Sequence, residues 1–287
     1  MIATECEVFM SYYLKQCRQN FWHGRFSTFP DDLVVHAIST RLSGISKSPF
    51  DSLNLALHVG DNPQDVLTNR RRFANSLNLN FEDIISPNQV HGDKIVRVDE
   101  SHRGLGAINY NDAIKETDAL ITNTPNLPLM LCFADCVPIL FVDVDNRAVG
   151  IAHAGWKGTM LKIAAKTLMA MTDEFGTNPQ TCLAGIAPSI GPCCYEVGEN
   201  VIEATKEAFP HHADKLIINR NGKTFIDLWQ ANFIQLIEAG MSNENIDISR
   251  ECTCCKSSWY FSYRAARLAG KNETGRIAAI ISIKDSE

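Results

Sequence analysis

Nothing in this chain reads as a membrane span. The most apolar run, around 127–142, is broken by Cys132, Asp135, Cys136 and Pro138, and it falls short of the ~20 residues a spanning helix needs. The start, "MIATECEVFMSYYLKQC", lacks a basic segment followed by a clean apolar one, so no signal peptide is read there. A basic surplus is missing too. There are 27 basic and 33 acidic residues and a formal net charge of -6, which leaves no nucleic-acid footprint. Walker A and the dinucleotide glycine fingerprint are both absent, which removes the usual phosphate-loop enzymes. No internal repeat, coiled coil or long low-complexity segment is present. These absences favour a cytoplasmic protein with neither membrane nor nucleic-acid partners. Its ten cysteines are then expected as free thiols, not as a secreted disulfide framework.

What is present is an ordinary globular composition. The 287 residues are 45% hydrophobic and 21% charged, enough to bury a large core. "LVVHAIST" (33–40) and "RIAAIISI" (276–283) read as strands. Three more are expected near 129–133, 138–144 and 147–153, with "DVDNR" as a turn. "IISPNQVHGDKIVRVDE" (84–100) reads as strand, tight turn, strand. Residues 41–63 form a loop dense in Gly, Pro, Asn, Asp and Ser, with a brief strand allowed at 53–59. A helix begins near Pro63, capped by Asp61, and "NRRRF" at 69–73 forms its charged face. "TMLKIAAKTLMAMTDEFG" (159–176) is an amphipathic helix ended by Gly176. Shorter strand and helix segments fill 181–270. Residues 1–32 are read as an irregular extension packed on the domain, with a weak helix signal at 10–19. The rest, 33–287, is read as one unit. Strands and helices mix without regular alternation, which predicts an α/β (α+β) fold of mixed sheets flanked by helices.

One pair of residues stands out chemically. Cys136 in "FADCVPIL" and His153 in "GIAHAGWKG" lie at the ends of apolar segments expected to be neighbouring strands. His91 in "NQVHGD" is a third member. Two imidazoles and a thiolate suit a catalytic zinc with an open position. The residues alone leave three readings open: this metal site, separate structural roles, and a metal-free Cys–His pair. Arg41, Lys157 and Arg264 are candidate anion contacts. Asp135 is expected to anchor a loop, since adjacent strand residues face opposite ways. Trp156, Trp259, Tyr260 and Phe261 could stack on a base, with core packing expected for at least two of them. "PCC" (Cys193, Cys194) and "CTCC" (Cys252, Cys254, Cys255) are not read as structural zinc motifs. They are expected mainly as buried thiols, although neighbours can face a pocket.

Taken together, "RLSGISKSPFDSLNL", "HVGDNPQDVLTNRR", "NQVHG", "TDALIT", "FADCVPILFVD", "AHAGWKG", "APSIGPCCYEVG", "FIDLWQAN" and "SSWYFSYRAARLAGKNETGR" resemble the bacterial YfiH-type family. It is also called the laccase-domain, polyphenol oxidase or purine nucleoside phosphorylase YfiH-type family. The motifs run in family order from about residue 33 to the end. One departure is Ala265, where family members commonly carry an arginine. The resemblance implies a YfiH-like fold and a zinc site of His91, Cys136 and His153. It also implies phosphorolysis of adenosine, inosine, guanosine and methylthioadenosine, with adenosine deamination as a side activity. His91, Cys136, His153 and Arg264 would be catalytic. Arg41, Asn54, Lys157 and Arg264 would contact substrate or phosphate. Two alternatives remain: a copper-dependent polyphenol oxidase and a cysteine hydrolase using Cys136 and His153. A full multicopper centre needs many histidines, often paired as H-x-H, whereas this chain has eight and no such pair. The expected partners are a purine nucleoside and phosphate, and the expected state is a monomer or weak homodimer.

Overall fold

The computed structural model describes residues 11–17 and 21–285. Its elements begin with β1 (Tyr12–Gln16), β2 (Trp22–Phe26), β3 (Val34–Ser39), α1 (Pro63–Ser76), β4 (Ile95–Arg97) and β5 (Ala119–Thr122). Next come β6 (Leu129–Phe133), β7 (Val137–Asp143), β8 (Ala148–Ala154), α2 (Trp156–Met160), α3 (Ile163–Phe175) and β9 (Leu183–Ile186). The chain closes through α4 (Glu199–Ala208), α5 (Ala213–Leu216), β10 (Ile217–Arg220), β11 (Lys223–Ile226), α6 (Leu228–Glu238), β12 (Ile246–Ile248), α7 (Tyr263–Leu268) and β13 (Ile277–Ile283).

Two sheets carry the fold. One has the order β1-β2-β3-β13-β6, the other β12-β9-β7-β8-β5-β4, and β10-β11 forms a separate ribbon. The first sheet is antiparallel. The second is mixed, because β12 pairs parallel to β9 and β4 parallel to β5. The strict alternation of side chains along a strand sorts the core into layers. Ile277, Ala279 and Ile281 of β13 join Leu140, Val142, Val149 and Ile151 of β7 and β8 in one cluster between the sheets. Ala278 and Ile280 point the other way, against Phe73 and Ala74 of α1. Ile139, Phe141 and Ala152 meet Ile163, Leu168 and Met171 of α3. The order is therefore helix, sheet, sheet, helix. Strands covered on both faces read as unbroken apolar runs, and β6, β7, β8 and β13 are buried at every position.

Several expectations change. The helix expected at 10–19 is a strand across residues 12–16, which pairs with β2, and β2 continues onto β3; residues 10, 18 and 19 lie outside the described residues. No strand forms at 53–59. The first strand of 84–100 shrinks to a single bridge, Ile85 with Leu129. The cap of α1 is Asn62, whose side chain accepts from the Gln64 N–H, while Asp61 accepts from the Asn54 amide. Arg70 is not on a charged face. It is 2% exposed and donates to the carbonyls of Leu55, Gly106 and Ala107, bracing two loops against α1. The helix at 159–176 is two helices, broken at Lys162, whose φ is 65°. Gly176 ends α3 at φ 74°, in the left-handed region glycine occupies without a Cβ penalty.

Candidate active site

The starts of β4, β5 and β7 and the end of β8 meet at one edge of the mixed sheet, because β5 and β7 both run antiparallel to β8. Cys136 sits in the bend before β7. His153 sits near the end of β8, opposite Pro138. His91 arrives on the loop before β4, at φ 63°. The structure brings these three together: one ligand atom of each lies within 4.8 Å of the others. The imidazoles meet edge to face, with centroids 4.7 Å apart. Gly155 makes room for them. A Cβ there would stand 3.0 Å from the Cys136 Sγ and 3.1 Å from the His91 Cδ2.

Asp118 organises the trio. Its Oδ1 accepts from the His91 backbone N–H at 3.0 Å and faces the His153 Nδ1 at 2.8 Å. Its Oδ2 accepts from the N–H groups of Val90 at 3.2 Å and Gly92 at 2.7 Å. Burial pushes the Asp118 carboxyl up, but the His153 ring and these N–H groups outweigh it and hold the pKa below the usual value. An ionised carboxylate is acceptor only, so the His153 proton sits on Nδ1 and Nε2 is left for the cavity. A carboxylate behind a ligating histidine is the usual support of a metal site. The donor set, one thiolate and two imidazoles, fits zinc with one position open. Without metal, burial opposes the Cys136 thiolate and the His153 imidazolium alike. Each charge stabilises the other more strongly, so Cys136 falls to about 6 and His153 rises to about 9.

The trio forms one wall of a cavity of about 550 Å³. Trp156, Ile190, Leu228, Tyr195 and Tyr263 give it apolar and aromatic faces, and Arg264 and Arg276 give it cations. Trp156 is the only one of the four proposed stacking residues in the lining. Tyr260 and Phe261 are fully buried, and Trp259 packs edge to face on Trp22. Asp135 anchors loops as expected, accepting from the Thr253 hydroxyl and the Arg264 N–H. It also lines the cavity, because it lies in a bend at φ 85°, where strand alternation does not apply.

The other proposed anion contacts separate. Arg41 lies outside the lining. Its guanidinium donates to the carbonyls of Asp51 and Ser257 and lies over the Phe261 ring. Asn54 is fully buried and satisfied by Ala56, Asp61 and the Arg276 N–H. Lys157 is exposed beside Trp156. Arg264 reaches the cavity, but two of its nitrogens hold the carbonyls of Cys194 and Glu196. Asp118 and Arg276 were not singled out from the sequence, although "TDALIT" and "NETGR" contain them. A lone aspartate before an apolar run, which cannot face water, is the signal for the first.

The cysteine-rich segments also differ from expectation. Cys252 is buried, but Cys193 and Cys255 are exposed and Cys194 and Cys254 half-buried. Cys252 and Cys255 do stand at C-x-x-C spacing.

A sheet sandwich with a thiolate and two imidazoles at one end defines a class. The family described as multi-copper polyphenol oxidoreductase laccase matches residues 35–284, and this chain belongs to it. Among curated relatives, the chain is 38% identical to purine nucleoside phosphorylase YlmD of Bacillus subtilis (strain 168), over 88% of this chain and 90% of that one. It is 35% identical to purine nucleoside phosphorylase YfiH of Escherichia coli (strain K12), over 86% and 93%. The crystal structure of YlmD from Geobacillus stearothermophilus superposes with a TM-score of 0.88 at 37% identity, covering 95% of this chain and 99% of that one.

Proposed function

We propose that the protein is a zinc-dependent purine nucleoside phosphorylase of broad specificity, acting on adenosine, inosine, guanosine and methylthioadenosine. The observation that carries this reading is the cavity itself, with the trio on one wall, aromatic faces beside it and the half-buried Arg276 in its lining. Two relatives named as phosphorylases support it. His91, Cys136 and His153 would hold the ion. A zinc ion bound there supplies Lewis acidity toward the substrate atom that reaches it.

The chain's own residues do the rest. Arg276 donates from Nη1 to the carbonyls of Thr274 and Gly275. Among the described residues no carboxylate forms an ion pair with it. A planar guanidinium held this way suits a phosphate. Arg264 adds positive charge beside it. Trp156, Tyr195 and Tyr263 offer faces for the purine and exclude water. Phosphate oxygen bonds to C1′ as the bond from C1′ to the purine nitrogen breaks, and the departing purine carries the electron pair and takes up a proton. Deamination of adenosine is the side activity. Among the described residues no glutamate lines the cavity, and zinc deaminases use one for proton transfer, so we rank phosphorolysis ahead of deamination. Free thiols suit a cytoplasmic setting, and no described helix is long and apolar enough to cross a membrane.

A copper oxidase has weaker support. Among the described residues only two groups of metal-binding side chains converge, the trio and a set of four cysteines, and neither is a histidine-rich copper cluster. The test is to supply adenosine to metal-quantified protein with and without phosphate. Adenine plus ribose 1-phosphate, formed only with phosphate, is expected, with inosine as a minor product. No phosphate-dependent product from fully metal-loaded protein would sink the proposal. Dioxygen uptake with a phenol would favour the oxidase, and thiol-dependent hydrolysis by metal-free protein would favour the Cys136–His153 pair.

A further inference from the structure

Four of the cysteines converge outside the cavity. Cys193 and Cys194 lie on the loop after β9. Cys252 and Cys255 lie on the loop between β12 and α7. One Sγ from each lies within 4.8 Å of the others. The Cys255 Sγ is 3.5 Å from that of Cys193 and 3.4 Å from that of Cys194. A disulfide needs about 2.05 Å. Four sulfurs bound tetrahedrally to zinc at ~2.3 Å stand roughly 3.8 Å apart, close to the spacing seen.

Two more features set this cluster apart from a group of core thiols. Cys193 and Cys255 are exposed, where burial does not explain a thiol. The sulfurs also have polar support. The Gly191 N–H donates to the Cys252 Sγ at 3.3 Å. The Arg220 guanidinium donates to the carbonyls of Pro192 and Cys193, which places a cation beside what would be an anionic centre. Gly191 is close-packed from the other side, since a Cβ there would stand 2.6 Å from the Trp229 ring and 3.2 Å from the Cys193 Sγ.

We propose that Cys193, Cys194, Cys252 and Cys255 bind a second metal ion, a zinc held by four thiolates. Four protein ligands leave no open position, so the site is structural. Its role follows from what the two loops do. They otherwise meet through a short bridge, Ser189 with Cys252, extended by the Thr253 N–H to the Ser189 carbonyl. The 190s loop supplies Ile190 and Tyr195 to the cavity and the carbonyls of Cys194 and Glu196 to Arg264. A metal clip at its base would fix that wall.

The test uses zinc alone on the full chain, with alkylation read cysteine by cysteine by mass spectrometry. Protein stripped of metal under reducing conditions should alkylate at Cys193, Cys194 and Cys255, with the buried Cys252 slower. Zinc should slow the first three together by about tenfold or more, because bound thiolate is a poor nucleophile. Cys17, half-buried just after β1 and beside His23, is the internal control. Cys136 reports the catalytic trio separately, so failure of one site does not mimic failure of the other. If stripping unfolds the chain, native Cys255→Ser protein gives a second readout: it should retain one equivalent of metal fewer than wild type. Free alkylation of Cys193 and Cys255 in zinc-loaded protein would overturn the proposal. So would unchanged metal content in Cys255→Ser, or a disulfide joining the two loops in the native protein.

Discussion

Replacing Asp118 with asparagine tests the central claim about the site, because no orientation of the amide satisfies its four neighbours. The Oδ1 side faces the His91 N–H and the His153 Nδ1. The Oδ2 side faces the Val90 and Gly92 N–H groups. If the new NH₂ takes the Oδ2 position, it confronts two backbone donors, and the loop carrying His91 loses its hold. If it takes the Oδ1 position, it forces the His153 proton onto Nε2, the nitrogen needed for a metal. It then also confronts the His91 N–H. Each lost bond to a charged acceptor is worth ~1.5–3 kcal/mol, so destabilisation of about 3–5 kcal/mol is expected. Removing a carboxylate behind a ligating histidine typically weakens metal binding by about 10–100-fold. Chemical denaturation gives the first quantity and competition with a chromophoric chelator the second. An asparagine variant that binds zinc as tightly as wild type and unfolds at the same denaturant concentration would refute the assigned role.

Gly155→Ala places a methyl against Cys136 and His91, so overpacking of about 1–3 kcal/mol should fall on the metal site; chelator competition should show weakened metal binding with the fold intact by circular dichroism. Arg276→Gln should raise the KM for phosphate, with little change in the KM for nucleoside. Arg41→Gln should do the reverse of a binding mutant, lowering Tm through its lost carbonyl contacts while the phosphate KM stays put. In metal-free protein between pH 6 and 9 the pair is a Cys136 thiolate and a His153 imidazolium. Zinc requires the thiolate and the neutral ring, so calorimetry in buffers of different ionisation enthalpy should find about one proton released, with affinity rising about tenfold per pH unit up to about 9. The sign for folding is separate. The depressed Cys136 value stabilises the metal-free fold above the ordinary thiol value of 9.0 and is lost as pH falls through about 6. The raised His153 value stabilises it below 6.5 and is lost as pH rises through about 9.

The strands of the double-sheet core were legible because both faces are covered, and their sequences are nearly continuous apolar runs bounded by turn residues. β6, β7, β8 and β13 all have this character. The β1–β2 hairpin was not legible. "YYLKQ" and "WHGRF" are short and carry no clear strand period, and they are held as strands by pairing with each other and with the edge that β3 offers. The break between α2 and α3 was hidden for another reason. Both halves keep helical periodicity, and nothing in "TMLKIAA" announces that α2 must swing Trp156 toward the cavity while α3 lies flat on the sheet.

For the site, residue type and place on a strand were enough to select Cys136 and His153, and a histidine before glycine added His91. Choosing among the arginines required the fold. Arg41 and Arg276 look alike in a sequence, and both contact backbone carbonyls in the structure. The difference is direction. Arg41 holds the loop at 51–53 against Ser257 and stacks on a buried ring, whereas Arg276 projects into the cavity. The same reasoning explains why Asn54 reads as a ligand and acts as a brace. It accepts from the Arg276 N–H at 2.9 Å and so positions a residue that lines the cavity. The four-cysteine cluster needed the fold most of all. Its halves lie about sixty residues apart in sequence, and neither half alone carries enough ligands to bind a metal.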